Sequence, residues 1–527
     1  MNLSVCHLVR RSTSHSSSVL HVLSMRIPLV ILLAAVWVTL GKSPEEWKSR
    51  VIYQILTDRF AHADQSPDTE CKELYEYCGG TFKGIQNNLD YISGLGVNAI
   101  WISPITENTK LGFHGYWPKN IYEVNPHFGT EQDLKDLIAA CHERDIWVMA
   151  DLVLNHMGYQ EGCHWTGCPV EKTDNFTGFT PFDDAKYYHP YCDVDWQNER
   201  EENVQGCWLA YLPDLNQTNP EVRQTLLDWI QGLNTEYGFD GYRLDFVKGV
   251  SMDFWSDVDD ACQSYTIGEA ADARLDVVSP YQGPLDSALS FPMYYVLLDL
   301  FQVDPAGSDM SKIHDQLVLE ADAYQDTTIL GGFLDNHDQP RFLFRNSDVT
   351  ALKNALVYLL MARWIPIIYY GTELGFNGGH DPNDRESMWP HVDTNHEIYK
   401  FIAKVNEFRS SLGQFFIDSE QTESLYDSDF YSFTRSETFI AITNRGSKFP
   451  DIERTISNGE FADGTVLANV LDPSDKVIVA DGKFTVTLRK GEPKIYYAGD
   501  VSKSTRSSPF HLSMILMHIA AVFLFIL

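Results

Sequence analysis

The chain has 527 residues, 44% of them hydrophobic, a formal charge of -33 at neutral pH and nine cysteines. That length exceeds one ordinary hydrophobic core and predicts two or three domains. The excess of acid argues against nucleic acid or an anionic membrane surface as partner, because phosphate repels it, and fits a soluble acidic extracellular surface.

The first element is the apolar run Ile27 to Leu40 after Arg26, ending in small residues, which reads as a secretory signal occupying 1–41 and cut near Gly41. An uncleaved signal anchor is the alternative, and Met25 is an alternative start. From residue 51, short Val-, Ile- and Tyr-rich runs alternate with segments of helical period, the βαβα pattern of a parallel sheet. The strand candidates are VIYQIL (51–56), VNAIWIS (97–103), IWVMADLVL (146–154), FDGYRLDF (239–246), YTIGEA (265–270), LDSALSF (285–291), TTILGGFL (327–334) and IPIIYYG (365–371). Eight of them suggest a closed (β/α)₈ barrel over 42–156 and 215–410. A doubly wound open sheet is the alternative, but no GxGxxG follows the first strand. The spacing predicts helices over 131–144 and 219–238, the second with an Asn-Pro start and a Gly stop. The long interval between strands three and four predicts an inserted domain at 157–214. From 411 to 499, period-two alternation broken by NG, DG and Gly/Pro/Asp clusters reads as an antiparallel β-sandwich domain. The tail 500–527, a small polar spacer before an apolar run, has the layout of a GPI-anchor signal, with a plain transmembrane tail as the alternative.

Three short loops are the natural disulfides: Cys71 with Cys78, Cys163 with Cys168, and Cys192 with Cys207. Cys141 and Cys262 read as buried free thiols, and Cys6 falls in the leader. Asn175 (NFT) and Asn216 (NQT) are glycosylation acceptors on a secreted chain.

In a barrel of this kind the active site lies at the carboxyl ends of the strands. The polar residues there are Asp151, Asn155 and His156 after strand three, Arg243 and Asp245 on strand four, Glu269 on strand five, and His337 and Asp338 after strand seven. Period-two alternation puts Arg243 and Asp245 on one face, so the guanidinium is expected to keep Asp245 ionised as a nucleophile. Glu269 follows the apolar YTIG, a setting expected to raise its pKa, as a general acid needs. Two carboxylates divided in this way suit retaining glycoside hydrolysis, about 5 Å apart across the scissile bond.

With DLVLNH (151–156), GYRLDFVKG (241–249), GEA (268–270) and FLDNHDQPRF (333–342) in this order, and FHGYW (113–117) upstream, the chain resembles the α-amylase family of glycoside hydrolases, its secreted fungal members in particular. The resemblance runs from about 44 to 499. It implies Asp245 as nucleophile, Glu269 as acid/base and Asp338 as transition-state stabiliser. It implies that His156 and His337 bond the sugar at the cleavage point, that Arg243 orients the nucleophile, and that Tyr116 and Trp117 form a stacking floor. Lys248 is implied to contact the sugar beyond the cut, and Asp381 and Arg385 to grip the ring before it. It also implies a structural Ca²⁺ held by Asn155, Asp214 and main-chain oxygens near Gln205 and Gly249. The family's second motif usually carries histidine after the lysine, where this chain has Gly249; Thr109 stands near a position that often carries an aromatic ring. Both departures bear on chain-length preference and on water against sugar as acceptor.

The expected protein is therefore a monomeric, GPI-anchored enzyme on the outer face of the plasma membrane or in the cell wall, hydrolysing α-1,4-glucosidic bonds of an α-glucan in endo fashion. The alternatives are a 4-α-glucanotransferase remodelling wall α-glucan and a non-catalytic amylase-like surface protein. No HExxH points to a catalytic zinc.

Overall fold

The computed structural model describes residues 41–499 except 65–70, 162, 164–166, 168–173, 198–199, 304–306, 390 and 458. The leader and tail readings thus fall outside the described residues; among those described, no helix is long and apolar enough to cross a membrane.

All eight strand candidates form strands: β1 (Ile52–Ile55), β2 (Ala99–Ile102), β3 (Trp147–Leu152), β4 (Gly241–Leu244), β5 (Tyr265–Gly268), β6 (Ser287–Ala288), β7 (Gly331–Gly332) and β8 (Ile365–Tyr369). They pair in parallel in the order β6-β5-β4-β3-β2-β1-β8-β7. A parallel bridge between Leu289 and Gly331 joins the two ends, so the sheet closes into a barrel. The strands are shorter than their apolar runs, most of all β7, where Thr327–Ile329 is a 3₁₀ turn.

The helices follow their sequence signals. α1 (Glu131–His142) starts with a reciprocal Thr130/Asp133 capping box, which satisfies two otherwise unpaired helix-end groups. α2 (Pro220–Tyr237) is capped by Asn219 and stops where Gly238 turns left-handed. α3 (Met252–Cys262) follows β4. α4 (Ser311–Ala323), α5 (Val349–Met361) and α6 (Glu397–Ile417) come later. α6 runs through residue 411, so the C-terminal sheet begins only at Thr422.

The barrel interior changes character along its axis. At one end Trp47, Trp147, Met149, Tyr265 and Ile267 pack as an apolar plug. A side chain at Gly241 would collide with the Trp47 ring, 2.8 Å from the position of its first carbon. One register step on, Asp151 lies beside Arg243, and the interior becomes charged where the strands end. The chain after Asp151 leaves the barrel as the inserted segment. Its Phe176, Phe179, Phe182, Tyr188 and Trp208 are buried in one core continuous with that of the barrel, and Cys192 is bridged to Cys207. Cys71 and Cys78 are joined as expected, and Cys163 is disulfide-bonded, its expected partner Cys168 lying outside the described residues. Cys141 and Cys262 are free and buried.

Beyond α6, strands β9 (Thr422–Tyr426), β10 (Tyr431–Arg435), β11 (Thr438–Ile442), β12 (Ile452–Ser457), β13 (Val466–Asn469), β14 (Lys476–Ile478), β15 (Lys483–Leu488) and β16 (Lys494–Tyr497) complete the fold. They form a six-stranded antiparallel sheet, β9-β10-β11-β16-β13-β14, and a β12-β15 ribbon. Phe439 and Leu467 from the sheet meet Ile456, Phe484 and Val486 from the ribbon. Buried Arg435 of β10 donates to the carbonyls of Met361, Ala362, Phe416 and Ile417, tying this sheet to the ends of α5 and α6. Four satisfied carbonyls make burial of that charge tolerable.

Candidate active site

The charged mouth of the barrel opens into a cavity of about 580 Å³ lined by Tyr116, Trp117, His156, Asp245, Phe246, Glu269, His337, Asp338, Asp381 and Arg385, among others. Its floor is one guanidinium. Arg243, completely buried, donates from Nη1 to Asp151 Oδ1 (2.9 Å) and Asp245 Oδ1 (2.7 Å), while its Nη2 lies 2.9 Å from Glu269 Oε2. Burial excludes Arg243 as a direct substrate contact; it touches the carboxylates that do face the cavity. The arrangement follows from the strands, since Asp151, Arg243 and Glu269 come from the ends of three adjacent strands.

This sharing corrects two expectations. Arg243 does not serve Asp245 alone: burial pushes the Asp245 carboxyl well above the usual range, Arg243 opposes this, and the neighbouring Glu269 and Asp151 charges add to it. Nor is the setting of Glu269 apolar, because Arg243 and the Phe246 N–H (3.1 Å) both reach Oε2. Asp151 also accepts from Tyr116 Oη (2.7 Å) and Trp101 Nε1 (3.0 Å). Sequence reading placed Asp151 at a strand end without assigning it this anchoring position; the signal was its register opposite Arg243.

Across the cavity a second charged group forms. Arg385 donates to Asp338 Oδ1 (3.0 Å) from Nη2 and to the His337 carbonyl (2.8 Å) from Nε, and its Nη1 pairs with Asp381 Oδ1 at 2.9 Å. His337 Nδ1 lies 2.8 Å from Gln54 Nε2, and its Nε2 lies 3.1 Å from Asp338 Oδ2. Burial, with Arg243 and Arg385 nearby, holds the His337 pKa well below its usual value. A neutral ring accepting from Gln54 carries its proton on Nε2, toward the cavity. Gln54 is a further residue that the motifs did not reveal. The Tyr116 ring stacks on His337, centroids 4.9 Å apart, while His156 Nε2 meets the Tyr116 carbonyl at 3.1 Å and burial brings its pKa down to about 4. Trp117 packs edge-on against Tyr159.

Lys248 is less available than expected: Nζ donates to the Ala271 carbonyl (2.9 Å) and lies 3.4 Å from Asp272 Oδ2. Asn155 Oδ1 lies against Gly249, and Asp214 forms an antiparallel bridge with the neighbouring His156. Asn155 and Asp214 each keep one buried oxygen, Oδ1, without a hydrogen-bond partner, and Gln205 reaches the Val250 carbonyl. The other Asp214 oxygen meets His189 Nδ1 at 2.6 Å. Asn175 is exposed and Asn216 half-buried, each accepting from its own threonine hydroxyl two residues on.

Comparison with known proteins gives the family. The family model described as α-amylase, catalytic domain, matches residues 54–444. An α-amylase of Saccharomycopsis fibuligera is 34% identical over 496 residues, spanning 90% of this chain and 97% of that protein. α-Amylase 2 of Schizosaccharomyces pombe is 38% identical over 407 residues, 74% of this chain and 68% of that one. Among solved structures, an α-amylase from Malbranchea cinnamomea aligns at a TM-score of 0.82 and 33% identity, over 89% of this chain and 99% of its own. On the family match and these relatives, the chain belongs to the α-amylase family of glycoside hydrolases.

Proposed function

We propose that the protein hydrolyses α-1,4-glucosidic bonds within an α-glucan chain, with retention at the anomeric carbon, outside the cell. The observation that carries this reading is the shared guanidinium: Arg243 contacts both Asp245 and Glu269, so two cavity-facing carboxylates stand side by side, as a double displacement needs. Asp245 attacks the anomeric carbon while Glu269 protonates the departing glycosidic oxygen. Water then attacks the same carbon, giving its proton to Glu269 as the bond to Asp245 breaks. Asp338, with His337 and Arg385, faces the ring that becomes positively charged. His156, Tyr116 and Trp117 hold that ring, and Asp381 with Arg385 grips the sugar before it.

Asn155 and Asp214 fit a calcium ion by their chemistry. Both are hard oxygen donors, and each keeps a buried oxygen without a protein partner, a costly arrangement unless a cation satisfies it. With main-chain oxygens near Gln205 and Gly249, such an ion supplies a structural tie between the inserted segment and the barrel. The disulfides support an oxidising, extracellular setting. The polar spacer and apolar run at 500–527 support attachment through a GPI anchor on the outer face of the plasma membrane or in the wall, with the enzyme acting as a monomer.

Incubating residues 42–499 with maltoheptaose, then separating products and reading their anomeric configuration by NMR, tests the proposal. Shorter products, initially α, are expected; unchanged substrate with folded protein overturns it. Products longer than maltoheptaose favour the second reading, a 4-α-glucanotransferase, which the departure at Gly249 supports because that position lies on the acceptor side.

A further inference from the structure

Gly249 and Phe246 are a matched pair. Phe246 follows the nucleophile in a left-handed conformation (φ 41, ψ 54), rare for a residue with a bulky side chain. Two bonds hold it there: its N–H donates to Glu269 Oε2 at 3.1 Å, and the next N–H, of Val247, donates to the Glu269 carbonyl at 3.0 Å. The turn carries the Phe246 ring over the α-carbon of Gly249. A side chain begun at Gly249 would place its first carbon against Asn155 Oδ1 and 2.6 Å from two Phe246 ring carbons, so that oxygen and the ring together occupy the volume a residue at 249 needs. Phe246 is half-buried and lines the cavity beside Glu269. A second ring meets it from the inserted segment: Trp196, 51% exposed, lies edge-on with centroids 6.3 Å apart.

Building on the double-displacement reading, we propose that Phe246 and Trp196 form the acceptor platform of this enzyme, taking the non-reducing end of a maltooligosaccharide by stacking. The side of the cleft follows from the chemistry. The leaving sugar departs from the oxygen that Glu269 protonates, and Phe246 is fixed to that same carboxylate. Aromatic faces bind the C–H faces of glucose and displace water, so the platform favours a sugar over water at the second step. In that step the acceptor 4-hydroxyl attacks the anomeric carbon and its proton passes to the Glu269 carboxylate. The bond to Asp245 breaks with its electrons returning to the carboxylate.

α-Maltotriosyl fluoride as donor with maltotriose as acceptor isolates this step, because the departing fluoride needs no sugar on the acceptor side. The measured quantity is the ratio of transfer product to released fluoride at a fixed acceptor concentration, because free maltotriose is both acceptor and hydrolysis product. Trp196→Ala is expected to lower that ratio about tenfold, the scale of one lost aromatic stack, and Trp196→Phe to recover most of it. An unchanged ratio in Trp196→Ala, or an equal fall in Trp196→Phe, overturns the platform while leaving the parent reading intact. Fluoride release by the unaltered protein no faster than the spontaneous rate overturns both.

Discussion

The two ends of the cleft are built from different materials. Around Asp338 the protein uses charge: one guanidinium, Arg385, holds two carboxylates and a main-chain carbonyl, and neutral His337 directs its proton to the same place. Around Phe246 it uses shape: two rings, a glycine that yields its volume, and a lysine turned onto a carbonyl. The difference matches the task. On the proposed mechanism, the ring being cleaved develops charge and needs preorganised polar groups, whereas the sugar that leaves or arrives stays neutral and needs a surface that excludes water.

The largest effect is expected at the floor on which both ends depend. Asp245→Asn removes the proposed nucleophile and is expected to cut kcat on maltoheptaose by about 10⁴-fold or more. Activity within tenfold of the unaltered enzyme would leave neither end of the cleft with a centre. At the charged end, Arg385→Ala is expected to lower kcat/KM about 10²- to 10³-fold for every chain length tested, because Asp338 and Asp381 lose their common clamp. Arg385→Lys recovers little of it, since one ammonium cannot reproduce a fork reaching three groups. If that loss depended on chain length more steeply than the loss in Trp196→Ala, the division between charge and shape would fail. At the ring end, Gly249→Ala is expected to cost about 1–3 kcal/mol of stability by overpacking. Its melting temperature should fall, and Phe246→Ala in the same chain should return part of the loss; strictly additive effects would show that the two residues are not matched.

Legibility in the sequence divides along the same line. The strands, α2 between Asn219 and Gly238, and the carboxylates at strand ends were readable because each depends on local period, local caps or one short motif. The sharing of Arg243 was only half readable. Alternation gave its face, but Asp151 and Glu269 arrive from neighbouring strands by register. The ring end was least readable. Phe246 takes its place through a left-handed turn, and Trp196 comes from a segment inserted between other strands, so no spacing connects them. A bulky residue three positions before an unexpected glycine was the one available signal.

The smallest expected effect lies between the two ends, in the pH profile. In the proposed double displacement Asp245 must be ionised to attack, and its pKa is raised by burial, with Arg243 opposing and the Glu269 and Asp151 charges adding to the rise. Rate on α-maltotriosyl fluoride should therefore fall with acid at a pH above the ordinary aspartate range, as Asp245 takes up a proton. Glu269→Gln removes one of the charges that raise it but leaves the first step possible, read as a single-turnover burst of fluoride, since fluoride departs without help from an acid. The sign follows: with that negative charge gone the ionised form of Asp245 is favoured, its pKa drops, and the acid limb moves to lower pH. Arg243→Gln removes the opposing charge and moves the same limb upward if the fold survives. A limb that stays fixed in Glu269→Gln would mean that the shared guanidinium already cancels the repulsion between the two carboxylates, and the floor would then act as one neutralised unit on which charge and shape are arranged independently.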